Sequence, residues 1–163
     1  MKMIGVISDT HMPRMAKSLP EEVVSGFKDA DLIIHAGDIN RDHVIYELQE
    51  IAPVEAVAGN TDDDYIRSVL GRKKTIDIDG CRIGIIHGDG ASGSTLDRVV
   101  KAFAGERVDC VVFGHSHIPF NRVINGVLYF NPGSPTDKRT QERYSYGMLK
   151  VEGKTVSGEI FFL

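Results

Sequence analysis

The chain has 163 residues, 42% of them hydrophobic and 26% charged, a globular composition that excludes a disordered chain and suffices for one buried core. Its 19 basic and 23 acidic side chains leave a formal net charge of −4. That balance argues against a basic nucleic-acid-binding surface, so a polyanionic substrate would need a local positive feature such as a bound cation.

In chain order, Met3–Ser8 is a nearly continuous apolar run ending in Asp9 and reads as a strand buried on both faces. It is too short, and too soon interrupted by an acid, for a secretory signal. Pro20 to about Ala30 has helical spacing, and Leu32–His35 is a second strand, ending before Gly37-Asp38. A helix follows from about Arg41 to Ile51, then a strand over Pro53–Ala58 that runs into Gly59-Asn60. This alternation predicts a parallel sheet with right-handed crossovers. Beyond it, Thr75–Ile78 and Arg82–His87 flank Asp79-Gly80, a hairpin signal. Ser94 to about Ala104 reads as a helix and Asp109–Phe113 as a buried strand before Gly114-His115. Asn121–Ile124 and Val127–Phe130 flank Asn125-Gly126, and Tyr144–Val151 and Thr155–Phe162 alternate around Gly153. The expectation is an α/β fold with a parallel first half, a more antiparallel second half and two sheets packed face to face. It forms a single domain over residues 1–163. No apolar run reaches the length of a membrane span, and a cytoplasmic location without membrane partners is expected. Cys81 and Cys110 make no disulfide scaffold and read as packing residues.

Five predicted strands end beside residue types that bind metals: Ser8-Asp9-Thr10-His11, Gly37-Asp38, Gly59-Asn60-Thr61-Asp62, His87-Gly88-Asp89 and Gly114-His115-Ser116-His117. Sites in open α/β sheets form beyond the carboxyl ends of the strands, so these tips should face one crevice. Asp-x-His and His-x-His on an extended backbone put both side chains on one side. Imidazole and carboxylate together favour Mn, Fe, Zn or Ni over Ca or Mg. The candidate ligands are Asp9, His11, Asp38, Asn60, His87, His115 and His117. Seven ligands exceed one tetrahedral ion and suit two ions, with Asp38 as the bridge. Such a pair would generate a bridging hydroxide near neutral pH and clamp a phosphate ester for in-line attack, with the metals about 3.5–4 Å apart.

The order Asp9-x-His11, Gly37-Asp38, Gly59-Asn60-x-Asp62, His87-Gly88, Gly114-His115-x-His117, followed by Asn131-Pro132-Gly133-Ser134, resembles the calcineurin-like metallophosphoesterases, and most closely their small single-domain phosphodiesterases. The resemblance implies a four-layer α/β/β/α sandwich of two mixed sheets flanked by helices. It implies one metal on Asp9, His11, Asp38 and His117 and another on Asp38, Asn60, His87 and His115. Two divalent transition ions are expected, Mn2+ first, with Ni2+, Fe2+, Zn2+ or Co2+ as alternatives. Self-association as a homo-oligomer is also implied.

Two positions depart from many larger relatives. Thr61 stands where they carry a histidine that can protonate the leaving group, and Asp89 where they carry another histidine. An acid catalyst contributes roughly 10²–10⁴-fold, so phosphodiesters and activated aryl esters are expected over simple alkyl monoesters. The residues assigned to catalysis are Asp38, Asn60, His87 and Asp62, the last by orienting a ligand or bonding backbone. Asn60, Arg14 and Arg139 are assigned to substrate, although each arginine also reads as a solvated surface residue. His35 reads either as a donor to a ligand carboxylate or as a satisfied core histidine. The functional expectation is a dinuclear phosphodiesterase acting on a small phosphate ester rather than on long nucleic acid. The alternative is a protein-interaction scaffold of the same fold with vestigial metal binding.

Overall fold

The computed structural model describes residues 1–163 and contains ten strands and four helices. The first half runs β1 (Lys2–Ile7), α1 (Glu21–Phe27), β2 (Leu32–His35), α2 (His43–Gln49), β3 (Val54–Ala56) and α3 (Asp64–Leu70). The second half runs β4 (Lys73–Ile78), β5 (Cys81–Ile86), α4 (Thr95–Ala102), β6 (Cys110–Val112), β7 (Phe120–Ile124), β8 (Val127–Asn131), β9 (Ser145–Glu152) and β10 (Thr155–Phe162). No helix is long and apolar enough to cross a membrane.

Two five-stranded sheets form, in the orders β10-β9-β1-β2-β3 and β4-β5-β6-β8-β7. β1, β2 and β3 are parallel, while β9 returns antiparallel against β1, with Gly5 opposite Met148. In the second sheet β5, β6 and β8 are parallel and the outer strands β4 and β7 antiparallel. Both sheets are therefore mixed.

Apolar periodicity accounts for the layering. Ile4 and Val6 of β1 face inward with Ile34, meeting Ile83, Ile85, Val112 and Phe130 from the other sheet. Ile7 belongs to the opposite face, under Val23 and Phe27 of α1, Val44 and Leu48 of α2 and Ile66 of α3. Val99 of α4 packs with Phe103, Val111 and Phe113 outside the second sheet. The order of layers is thus α/β/β/α. A strand buried on both faces has no polar alternation, which is why β1 and β6 read as plain apolar runs.

The sequence reading located every strand but passed over α3. This helix has a clear start, since Asp63 accepts the N–H of Ile66 at 2.9 Å, and a clear end at Gly71 with φ 73°. α4 begins with a reciprocal capping box between Ser94 and Asp97.

Candidate metal centre

The carboxyl ends of β1, β2, β3, β5 and β6 carry all the candidate ligands. At these tips the backbone is not extended, as the Asp-x-His spacing suggested. Asp9, His11, Asp38, His115 and His117 have φ of 56°, 44°, 57°, 68° and 62°. Left-handed backbone is uncommon for non-glycine residues and costs on the order of 1–3 kcal/mol each when the surroundings enforce it. The β1, β2 and β6 tips therefore leave the extended path at their ligands, and this turn of the backbone, rather than strand alternation, accompanies the pairing of Asp9 with His11 and of His115 with His117.

Two clusters of ligand atoms result. Asp9, His11 and His117 form one and Asp38, His87 and His115 the other, with the atoms of each cluster within 4.8 Å of one another. The His11 and His117 rings stack with centroids 5.3 Å apart, and His87 meets His115 edge-on at 5.2 Å. Asp38 lies between the clusters: its Oδ2 is 3.5 Å from His11 Nε2 and 3.1 Å from His87 Nε2. Asn60 is exposed at the mouth, its Oδ1 3.3 Å from His115 Nδ1.

Each carboxylate has one occupied oxygen and one that faces the imidazoles. Asp9 Oδ2 accepts the Ser8 hydroxyl at 2.7 Å and the His115 N–H at 3.0 Å. Its Oδ1 accepts nothing and lies 3.3 Å from His117 Nε2 and 3.7 Å from His87 Nε2, out of hydrogen-bond alignment. Asp38 Oδ1 accepts the Thr61 N–H at 2.9 Å. The imidazoles are fixed from behind: His87 Nδ1–H donates to the Ala36 carbonyl at 2.8 Å and His117 Nδ1–H to the Asp137 carbonyl. Carbonyls only accept, so the Nε2 atoms are left facing the crevice.

The consequence is a concentration of unmet bonding capacity. Asp9 Oδ1 and the Nε2 atoms of His11, His87 and His117 are all buried without a hydrogen-bond partner. Buried polar atoms are rarely orphaned, and four converging on one space need an occupant with positive charge. Nitrogen and carboxylate donors in this number fit divalent transition ions.

The electrostatics agree. Burial would raise the Asp38 carboxyl, but the adjoining His87 and the Thr61 N–H outweigh it and hold the group well below the usual carboxylate range. Asp9 is likewise lowered, burial being outweighed by His117 and His87. Burial works against a charge on His87, yet Asp38 and Asp9 raise it to about 9. His11 and His115 are lowered, chiefly by burial.

The supporting residues are buried behind the tips. Asp62 accepts four backbone N–H groups, from Ile39 and Asn40 on Oδ1 and from Asp38 and Gly59 on Oδ2, at 2.7–3.0 Å. Both its oxygens are spent on the β2 and β3 tips, so it touches no other ligand and acts by positioning. Gly59 permits this approach, because a Cβ there would collide with the Asp38 carboxylate. The Asn131–Ser134 turn performs the same task for β1 and β6: Ser134 Oγ donates to the Asp9 carbonyl at 2.8 Å and Asn131 Nδ2 to the Gly114 carbonyl at 3.0 Å. Thr136, which the sequence did not single out, donates to the Thr10 carbonyl at 2.6 Å.

His35 is a satisfied core histidine. Its Nδ1 accepts the Gly37 N–H at 3.1 Å and its Nε2 lies 3.0 Å from the Thr10 hydroxyl, with no hydrogen bond to Asp9 or Asp38. Burial lowers its pKa to about 3. Burial works against a charge on His117, but Asp9 and the Asp137 carbonyl outweigh it and raise its pKa; the exposed Arg139 opposes that rise only in part. Arg14 is exposed and makes no ion pair. Asp89 is paired with Arg72 at 2.5 Å, so its charge is partly met. Arg67 of the unforeseen α3 donates to the Asn60 carbonyl at 2.8 Å.

Comparison with known proteins identifies the architecture. The model of the calcineurin-like phosphoesterase superfamily domain matches residues 1–154. A probable metallophosphoesterase of Methanothermobacter thermautotrophicus is 37% identical over 158 residues, covering 97% of this chain and 91% of that protein. A phosphodiesterase of Methanocaldococcus jannaschii is 26% identical over 144 residues, covering 80% and 82%. The crystal structure of Chaetomium thermophilum Vps29 superposes with a TM-score of 0.82 at 19% identity, covering 100% of this chain and 97% of that one, a likeness of fold. With strand tips that converge as these do, and a family match running almost end to end, the chain belongs to the calcineurin-like phosphoesterases.

Proposed function

We propose that this phosphoesterase is a dinuclear, metal-dependent phosphodiesterase, working as one domain over residues 1–163 in the cytoplasm. The observation that carries the reading is the set of four buried, unpartnered atoms on Asp9, His11, His87 and His117. One ion would be held by Asp9, His11, Asp38 and His117 and the other by Asp38, Asn60, His87 and His115, with Mn2+ the first choice. Asp38 Oδ2, between the two clusters, supports its role as the shared ligand. When bound, such ions supply an activated water and neutralise the charge of the phosphoryl oxygens.

The chain's own residues do the rest. Asp9 and Asp38 stay ionised and confine positive charge to the crevice. His87 and His117 are locked by their Nδ1–H bonds to Ala36 and Asp137, so their coordinating atoms need no reorganisation. Asp62 sets the height of Asp38 and Asn60. Asn60, exposed at the mouth, offers its amide to the substrate. Arg139 supports a phosphate approaching from the His117 side, whereas Arg14 keeps its substrate role only by analogy of position.

No histidine stands beside the leaving group. Thr61 Oγ donates to Asn40 Oδ1 at 3.0 Å and is a poor acid at neutral pH. This favours diesters and aryl esters, whose leaving groups depart without a proton.

Hydrolysis of bis-p-nitrophenyl phosphate by Mn2+-loaded protein, compared with Asp38→Ala and with elemental analysis of both, tests the reading. Activity and close to two ions per chain are expected in the wild type, with both lost in the variant. Inactivity of the loaded protein on this diester and on cyclic nucleotides would favour an interaction scaffold instead. An apolar hollow of about 200 Å3 between α2 and α3, lined by the exposed Tyr46, Tyr65 and Val69, is the feature that such a reading would use.

A further inference from the structure

α3 carries a side chain that ties two of the candidate ligands together. Arg67 Nη2 donates to the Asn60 carbonyl at 2.8 Å. The N–H of that same peptide unit belongs to Thr61 and donates to Asp38 Oδ1 at 2.9 Å. A guanidinium, one planar peptide and the carboxylate between the two ligand clusters are thus joined in series by hydrogen bonds.

We propose that Arg67 is a positioning residue of the metal centre. Through the Asn60–Thr61 peptide it fixes both Asn60 and Asp38, and so sets the affinity of the ion that these two residues share with His87 and His115. The inference rests on the dinuclear phosphodiesterase reading above.

The linkage acts in two ways. The peptide unit is rigid, so anchoring its carbonyl also fixes the direction of its N–H. A donor on the carbonyl polarises the amide and strengthens that N–H as a donor in turn. Asp38 Oδ1 is thereby held from the β3 tip, while Oδ2 is left facing His11 and His87 at 3.5 and 3.1 Å. Asp62 ties the same two tips by separate bonds, but none of its four donors is the N–H of Asn60 or Thr61. That peptide is left to Arg67.

The surroundings of Arg67 point the same way. It stands in the last turn of α3, where a cation suits the helix end wherever its side chain lies. The side chain is nevertheless drawn in, with Nε buried and without a partner, a cost that an arginine extended into water avoids. Its contact with Asp64, Nη1 to Oδ1 at 3.4 Å, is to a fully exposed carboxylate and contributes little. The bond to the Asn60 carbonyl is therefore what fixes this conformer. The second ion takes both residues tied to this peptide and the first takes Asp38 alone, so the second should feel the loss more.

The test is Mn2+ binding by calorimetry to the wild-type chain and to Arg67→Met, Arg67→Lys and Asp64→Asn, with electron paramagnetic resonance of the loaded proteins. The wild type should bind two ions and give the signal of a coupled pair. In Arg67→Met one ion should bind about tenfold more weakly and the other within about threefold of wild type, the lower end of what residues that orient metal ligands control. With Mn2+ below saturation, the signal of an isolated ion should replace that of the pair. Arg67→Lys keeps a charged donor and should recover part of the loss, and Asp64→Asn should match the wild type. For bis-p-nitrophenyl phosphate, kcat of Arg67→Met should recover as Mn2+ is raised, with KM unchanged.

Two ions held by Arg67→Met as tightly as by the wild type would overturn the proposal. Equal weakening of both ions with a lowered melting temperature of the metal-free chain would overturn it too, as the mark of a general structural role. A KM that stays raised at saturating Mn2+ would do the same, as the mark of a direct substrate contact. Should Arg67→Met fail to fold, Arg67→Lys compared with Asp64→Asn decides: some weakening of one ion in the first and none in the second upholds the proposal, and equal binding overturns it. A wild-type chain that holds fewer than two ions overturns the dinuclear reading and the role of Arg67 with it.

Discussion

His87 Nε2 lies 3.1 Å from Asp38 Oδ2 with no hydrogen bond completed by the nitrogen. In the metal-free chain the pair holds a proton on His87, whose pKa is raised to about 9. Only the deprotonated ring coordinates a metal, so loading displaces that proton. Metal affinity should therefore rise with pH, by about tenfold per pH unit for each proton displaced, and level off near pH 9. Competition against a chelator of known affinity between pH 6 and 9 measures this. An affinity flat across that range would mean that His87 does not ligate.

Asp62→Asn should test positioning without removing bulk. The amide keeps one acceptor oxygen where the carboxylate serves four N–H groups with two. Hydrogen bonds to a charged group contribute about 1.5–3 kcal/mol each, and buried donors left unpaired cost similar amounts. A loss of about 2–4 kcal/mol in denaturant unfolding is expected, with weaker metal retention. A stability within 0.5 kcal/mol of wild type (about the noise of surface substitutions) would remove Asp62 from this role.

Thr61→His should restore a proton donor near the leaving group. The Thr61 N–H is bonded to Asp38, and its exposed side chain has room at the mouth. Hydrolysis of p-nitrophenyl phosphate and of an alkyl monoester should rise relative to the diester, by about tenfold or more for the alkyl ester. Steady-state rates for the three substrates check it, and an unchanged ratio would place residue 61 away from the departing oxygen.

Acid should weaken the fold through His35. Its pKa is about 3 in the native chain against an ordinary 6.5. Between those values the unfolded chain binds a proton that the folded chain does not, so stability falls as pH drops through this window. The group contributes a slope of about 1.4 kcal/mol per pH unit there. Unfolding curves at several pH values should be steeper in their pH dependence for wild type than for His35→Gln. Equal slopes would mean that the imidazole charges in place.

The strand tips were legible in the sequence because both neighbouring facts are local: an apolar run and the glycine, serine, acid or histidine that ends it. Asp9, Asp38, Asn60, His87, His115 and His117 could be singled out on that basis before any packing was known. Their backbone conformation could not, because Asp-x-His reads alike whether extended or left-handed. α3 was missed for a different reason. The acid run Asp62–Asp64 looks like a loop, and Tyr65 and Val69 are exposed, so the helix shows only a narrow apolar stripe through Ile66 and Leu70. Its cap at Asp63 and the glycine at 71 were the available signals. The clamp from Thr136 to Thr10 spans 126 residues and has no local signature at all.

The pairing of β9 with β1 has an implication for synthesis. The first strand, which ends in Asp9, gains its antiparallel neighbour only when residues near 150 have left the ribosome, and Ser134 and Thr136 reach the Asp9–Thr10 segment only shortly before. A nascent chain cannot assemble the crevice piecemeal from its amino-terminal half. Such long-range closure slows folding, and it leaves the crevice open on one side until the residues near 150 are in place.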